Sequence, residues 1–147
     1  ADEDQYFVKG DKLATCQIAD KTLASFICYD LRFPDLFQAL KDEVEVVIVS
    51  ANWPKKRREH WKSLLQARAI ENQVYVVGVN CVGTLDGLEY SGDSMIIHPN
   101  GEVLSHLDGK EGILYVSIDD EVKKVREGFP VRKDRQVELY QTFYNEL

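Results

Sequence analysis

The chain has 147 residues, 44% of them hydrophobic and 29% charged, which is the composition of one globular domain with its own core and not of a disordered segment. With 25 acidic side chains against 18 basic ones the net charge is -7; the single basic cluster, Lys55-Lys-Arg-Arg58, is too short to grip a phosphate backbone and reads as a solvated face, which excludes nucleic acid as a partner. Three cysteines (Cys16, Cys28, Cys81) without a CxxC pair argue against a disulfide framework and a zinc site and fit a reducing cytoplasm, while the acidic start Ala1-Asp-Glu-Asp4 and apolar runs as short as Val46 to Val49 give no export signal or membrane span.

In chain order, residues 1–12 are polar apart from Tyr6-Phe-Val8 and turn at Gly10-Asp11. Two short strands are predicted at 13–18 and 23–29, with Ala19-Asp-Lys-Thr22 as the hairpin between them. Phe26 and Ile27 favour a buried extended run that delivers Cys28, and Pro34 with Asp35 behind it opens a helix over 33–41. A cysteine at such a corner lies near backbone N–H groups and the positive end of a helix, a field that favours the nucleophilic thiolate. The alternative is that Cys28 is a small buried hydrophobe.

Val44-Glu-Val-Val-Ile-Val-Ser50 predicts an inner strand covered on both faces. Asn52-Trp-Pro54 breaks it just past the strand end, where open α/β layers bind ligands, and this marks Asn52 and Trp53. Trp61, Leu64, Leu65, Ala67 or Arg68, and Ile70 follow a helical period over 57–72, and 74–80 is a further buried strand. Residues 83–92, rich in small and turn types, read as a long loop. Strands are predicted at 95–97, 102–105 and 113–118, the first two joined at Pro99-Asn-Gly101. Residues 119–126 run from acids to bases, as a short helix does, and Gly128-Phe-Pro130 stops it. Tyr140, Phe143 and Tyr144 recur at helical spacing with little else to bury, which suits packing on a neighbour. The order is α/β first and antiparallel β second, in one domain.

Gly83, Gly87 and Gly92 form neither GxGxxG nor a P-loop, so nucleotide binding is not expected. His60, His98 and His106 are each candidates for a Cys–His pair; they fall among helix residues, beside a turn and near a strand end, and are expected at the surface. No HExxH or comparable spacing occurs, so no catalytic metal is predicted.

One ordered series says more than these local patterns. Ile27-Cys-Tyr-Asp-Leu-Arg-Phe-Pro-Asp-Leu36, then Ala51-Asn-Trp-Pro54, Arg58-Glu-His-Trp61, Ala67-Arg-Ala-Ile-Glu-Asn72, Gly92-Asp-Ser-Met95 and Pro99-Asn-Gly-Glu102 closely resemble the nitrilase superfamily of carbon-nitrogen hydrolases. The likeness continues through Arg126-Glu-Gly-Phe-Pro-Val131, Asp134-Arg135 and Leu139-Tyr140, and so covers almost the whole chain. The RFPDL and GDSM forms look most like the omega-amidase branch, which hydrolyses the terminal amide of small dicarboxylic acid monoamides such as 2-oxoglutaramate.

The resemblance implies a four-layer αββα sandwich that pairs into dimers, and a mechanism with a glutamate base, a lysine and a cysteine nucleophile, with no cofactor. Cys28 matches the nucleophile, the backbone N–H of Tyr29 an oxyanion donor, and Glu3 a second, supporting glutamate. Arg32 can meet a substrate carboxylate with its bidentate fork or form a structural ion pair with Asp30 or Asp35. The base glutamate and the lysine have no counterpart here. The expectation is therefore that residues 1–147 are one N-terminally incomplete domain, inactive alone, which forms a homodimer or associates with the missing N-terminal part. Two rivals stand beside the small-amide hydrolase: a non-catalytic binding or assembly subunit that keeps the fold, and an independent Cys–His hydrolase.

Overall fold

The apolar runs that end at Ile27, Ala51 and Asn80 lie side by side at the centre of a sheet in the computed structural model, which describes residues 3–147, Glu3 by its backbone alone. In chain order the strands are β1 (Thr15–Ile18), β2 (Lys21–Ile27), β3 (Val44–Ala51), β4 (Tyr75–Asn80), β5 (Val82–Leu85), β6 (Leu88–Ser91), β7 (Ser94–Ile97) and β8 (Val103–Leu107). The helices are α1 (Pro34–Gln38), α2 (Arg58–Asn72), α3 (Glu121–Gly128) and α4 (Val137–Tyr144). Six strands form one sheet in the order β1-β2-β3-β4-β7-β8. β2, β3 and β4 run parallel, and the outer pairs are antiparallel. The parallel centre follows from connectivity, because the chain returns through α1 and then α2 between these strands.

Strand register separates the two faces. Ala24, Val47, Val76 and Ile97 form one row across the sheet, and Phe26, Val49, Gly78 and Met95 the next. These rows share a buried core with Phe37 of α1 and with Trp61, Leu65 and Ala69 of α2. A Cβ at Gly78 would run into the side chains of Leu65 and Trp61, so the missing side chain is what lets α2 lie this close to β4.

On the opposite face Leu23, Val46 and Tyr75 pack with Val122 of α3, flanked by Ile48, Val77 and Ile118. Toward the C-terminal ends of the strands this cover stops. Ile27, Ser50 and Val79 form a row in register, and all three are exposed, Ile27 by 69% and Val79 by 48%. Among the described residues α1 and α2 cover one face of the sheet and the other face is covered only in part, as expected for part of a four-layer αββα sandwich.

Three expectations are corrected. Residues 83–92 are not a plain loop but most of the hairpin β5–β6, turned at Asp86 (φ 48°) and Gly87 (φ 76°), the left-handed pair that matches hairpin twist. Residues 113–118 form no strand: Ile113 and Tyr115 are exposed, and an extended run without a ladder partner is no strand. The first helix is shorter than 33–41 and stops at Gln38. On α4, Tyr140, Phe143 and Tyr144 are exposed. Among the described residues no helix is long and apolar enough to cross a membrane.

Candidate active site

β2 stops being a strand at Cys28, whose φ of 45° lies in the left-handed region that a residue with a Cβ rarely enters. A 3-10 turn, Cys28–Arg32, follows at once. Asp30 holds the corner, its Oδ2 accepting the Ile27 N–H at 2.9 Å. The backbone donors next along the chain from the thiol are those of this turn, beginning with Tyr29, because α1 starts only at Pro34 and is five residues long. The Tyr29 ring points to solvent and meets Phe33 edge-on at 5.2 Å.

Cys28 opens onto a cleft of about 750 Å³ at the C-terminal ends of β2, β3 and β4, the position at which a parallel layer presents ligands. Ile27, Ser50 and Val79 belong to its floor, Ala51 and Asn52 to its end, and Leu88 and Tyr90 of the hairpin to one wall. Asn80 and Cys81 also line it, and neither carries a role in the sequence reading. The signal available for Asn80 was a lone amide closing an otherwise apolar strand.

Asn52 lies where the sequence put it, whereas Trp53 does not line the cleft. Trp53 is 3% exposed. Its N–H donates to Asn80 Oδ1 at 2.7 Å, its Nε1–H to the Arg57 carbonyl at 2.8 Å, and its ring lies 5.6 Å from that of Trp61. It is an anchor for the loop that presents Asn52. The Arg32 guanidinium stacks 4.6 Å from the Trp53 ring centroid. Neither proposed acid pairs with it: Asp30 accepts the Ile27 N–H, and Asp35 accepts the Tyr144 hydroxyl. The side chain of Glu3 lies outside the described residues.

None of the three histidines lines the cleft. His60 is exposed on α2. His98 accepts the Asn100 N–H at 3.2 Å and packs edge-on against Tyr75 at 5.4 Å. His106 is no free surface histidine, since its Nε2 lies 2.8 Å from Asp93 Oδ1. Asp93 is wholly buried and also takes Arg58 through both carboxylate oxygens, at 2.6 and 2.8 Å. Burial alone would raise the Asp93 pKa, but hydrogen bonds from Arg58 and His106 outweigh it and hold the group at about 2. Asp93, His106 and Asp108 bring possible metal-ligand atoms within 4.8 Å of one another. Arg58 already bridges the two carboxylates, so this cluster has its cation built in. Burial pushes the Cys81 thiol up, and the neighbouring Cys28 adds to the effect.

Known proteins share much of the sequence and fold of this chain. The 2-oxoglutaramate amidase of Bacillus subtilis is 40% identical over 141 residues, which cover 95% of this chain and 54% of that protein. A solved structure from Xanthomonas campestris, described as a CN-hydrolase superfamily protein with an arsenic adduct in the active site, superposes with a TM-score of 0.85 at 30% identity, over 91% of this chain and 54% of that one. An amidase from Nesterenkonia sp. AN1, with the acetamide moiety of fluoroacetamide added covalently at its active site cysteine, superposes with a TM-score of 0.83 at 26% identity, over 97% of this chain and 52% of that one. The chain thus spans about half the length of the relatives it matches. The carbon-nitrogen hydrolase profile matches residues 1–127, and the chain belongs to that family.

Proposed function

We propose that this chain carries the nucleophile of a small-molecule amidase and takes part in hydrolysis of an omega-amide such as 2-oxoglutaramate. The observation that carries the reading is Cys28 itself, held at a left-handed φ on the rim of the cleft. Its sulfur attacks the amide carbonyl carbon, the C–N bond breaks with a proton delivered to departing ammonia, and water then cleaves the thioester to free acid and thiol. No cofactor enters these steps. The Tyr29 N–H, first in the turn after Cys28, is the backbone donor for the developing oxyanion. Arg32, free of Asp30 and Asp35, is the group for the remote carboxylate, provided it leaves the Trp53 ring.

The described cleft lining holds no carboxylate, lysine or histidine. This reading therefore takes the base that activates water and the acid for the leaving ammonia from other chain, and on it the isolated 147 residues should turn over near background. A positioned acid–base group contributes about 100- to 10,000-fold and an oxyanion donor roughly 100- to 1,000-fold, and such factors do not simply multiply. The test is ammonia release from 2-oxoglutaramate by three proteins: this chain, a fusion that adds the unmatched half of the Bacillus subtilis amidase, and that fusion with Cys28→Ala. Activity in the fusion alone supports the reading. Robust turnover by the isolated chain removes the shared-site argument, and turnover by the Cys28→Ala fusion removes the mechanism. A folded fusion that takes the acetamide group from fluoroacetamide at Cys28 but releases no ammonia would favour a non-catalytic subunit.

A further inference from the structure

Two of the three cysteines face the same cleft, and only one of them is used by the proposed chemistry. Cys28 follows the last residue of β2, and Cys81 follows the last residue of β4, with β3 between them. They sit at nearly the same height. Ile27 is level with Ser50 in β3, Asn80 is level with Ala51, and the Cys81 N–H donates to the Ala51 carbonyl at 3.2 Å. Neither forms a disulfide, and both are partly buried.

Spacing decides what can join them. Strands separated by one other strand lie about 9.5 Å apart, twice the usual interstrand distance. A disulfide spans Cα separations of only about 4.4 to 6.8 Å. Direct oxidation to a disulfide therefore needs backbone movement, and the sheet resists it. One metal atom in line between the sulfurs replaces a bond of about 2.05 Å with two of about 2.3 Å. That lengthens the bridge by roughly 2.5 Å and closes most of the gap.

We propose that Cys28 and Cys81 form a two-thiol site for a soft, two-coordinate cation of the mercuric, silver or cuprous class, bound across the mouth of β3. Thiolate sulfur is the ligand type such ions select over oxygen and nitrogen. Each thiol gives up its proton to solvent as its metal–sulfur bond forms, so a mercuric ion leaves a neutral bis-thiolate complex and two protons. The cation also relieves the mutual repulsion of two neighbouring thiolates, the same repulsion that helps push the Cys81 thiol up. Bound there, it would occupy the sulfur that amide attack requires. The site itself does not depend on the amidase reading, and its test uses no turnover.

The experiment loads the folded chain with one equivalent of mercuric chloride, alkylates it with iodoacetamide and maps the labelled cysteines by mass spectrometry. One mercury per chain, with Cys28 and Cys81 both protected and Cys16 labelled, is the expected result. In Cys81→Ser, glutathione should strip the ion more easily by a factor beyond the 10- to 100-fold that loss of an outer-shell partner costs. Labelling of Cys81 in the loaded native chain overturns the proposal. So does mercury that bridges two chains through Cys16, or a Cys81→Ser chain that resists glutathione as well as the native one. The mapping on unaltered protein decides the matter even if the variant does not fold.

Discussion

Asn80 and Trp53 grip each other in both directions. Asn80 Oδ1 accepts the Trp53 N–H at 2.7 Å, and Asn80 Nδ2 donates back to the Trp53 carbonyl at 3.3 Å and to the Gly92 carbonyl at 2.8 Å. One amide thereby ties the end of β4 to the loop after β3 and to the turn before β7. The loop after β3 borders the cleft, so this residue helps fix its shape while also lining it.

Asn80→Ala should destabilise the chain, because it strands a buried N–H and carbonyls that water reaches poorly. Each such group costs about 1 to 3 kcal/mol. Urea denaturation is expected to show a lower midpoint with an unchanged slope, whereas Glu89→Ala on the exposed hairpin should move the midpoint little. Equal midpoints for the two variants would show that the loops stand without Asn80.

The Asp93 network makes stability depend on acid. Its folded pKa of about 2 lies below the value near 3.9 of an unfolded aspartate. The unfolded state then binds more protons between these values. The stabilisation is full above about pH 5 and is lost as pH falls through about 2, a total of about 2 to 3 kcal/mol. Asp42 is also lowered, by Arg132, but its side chain is exposed and salt screens the pair. In high salt the urea midpoint should still fall from pH 4 to pH 2, and Asp93→Asn should flatten that fall. A variant with the native slope would place the acid sensitivity elsewhere.

Local pattern carried the fold where packing is local. The period of Trp61, Leu64, Leu65 and Ala67 or Arg68 marked α2, and the continuous apolar runs marked β3 and β4. The hairpin β5–β6 had a legible signal in Asp86-Gly87 between Leu85 and Leu88, outweighed in the reading by the many small residues around it. Residues 113–118 have strand composition, yet strandedness needs a partner that local sequence does not supply. At the site, Cys28 and Asn52 were legible from strand ends. Trp53 is buried and does not line the cleft, because a strand-end position does not say which way an indole turns. The Asp93–Arg58–His106 cluster joins positions 35 and 13 residues apart, a separation over which no periodicity operates.

The bare row Ile27, Ser50 and Val79 predicts association. An apolar sheet face that no described helix or second sheet covers invites pairing with another chain. The isolated chain is expected to self-associate at micromolar concentration by light scattering. Val79→Lys should shift it toward the 16.8 kDa monomer with little loss of monomer stability, since position 79 is already exposed. A native chain that stays monomeric would show that this face tolerates water.

Thiol reactivity tests the corner at Cys28 most directly. The thiolate is the reactive form, and the three cysteines differ in what surrounds them. Cys81 is held back because burial and the nearby Cys28 push its thiol up. Cys16 lies exposed on the edge strand β1 and serves as the solvent-reachable reference. Cys28 is reachable from the cleft and stands at the head of the 3-10 turn, where backbone N–H donors favour negative charge. Iodoacetamide near pH 7 should therefore label Cys28 first, Cys16 next and Cys81 last. In urea the three rates should converge, because the corner and the burial are both gone. Asp30→Ala removes the carboxylate that pins the Ile27 N–H; it should slow Cys28 toward the Cys16 rate and leave Cys16 unchanged. If Cys16 reacts before Cys28 in the folded chain, the strained corner gives no activation and the nucleophile assignment loses its physical basis.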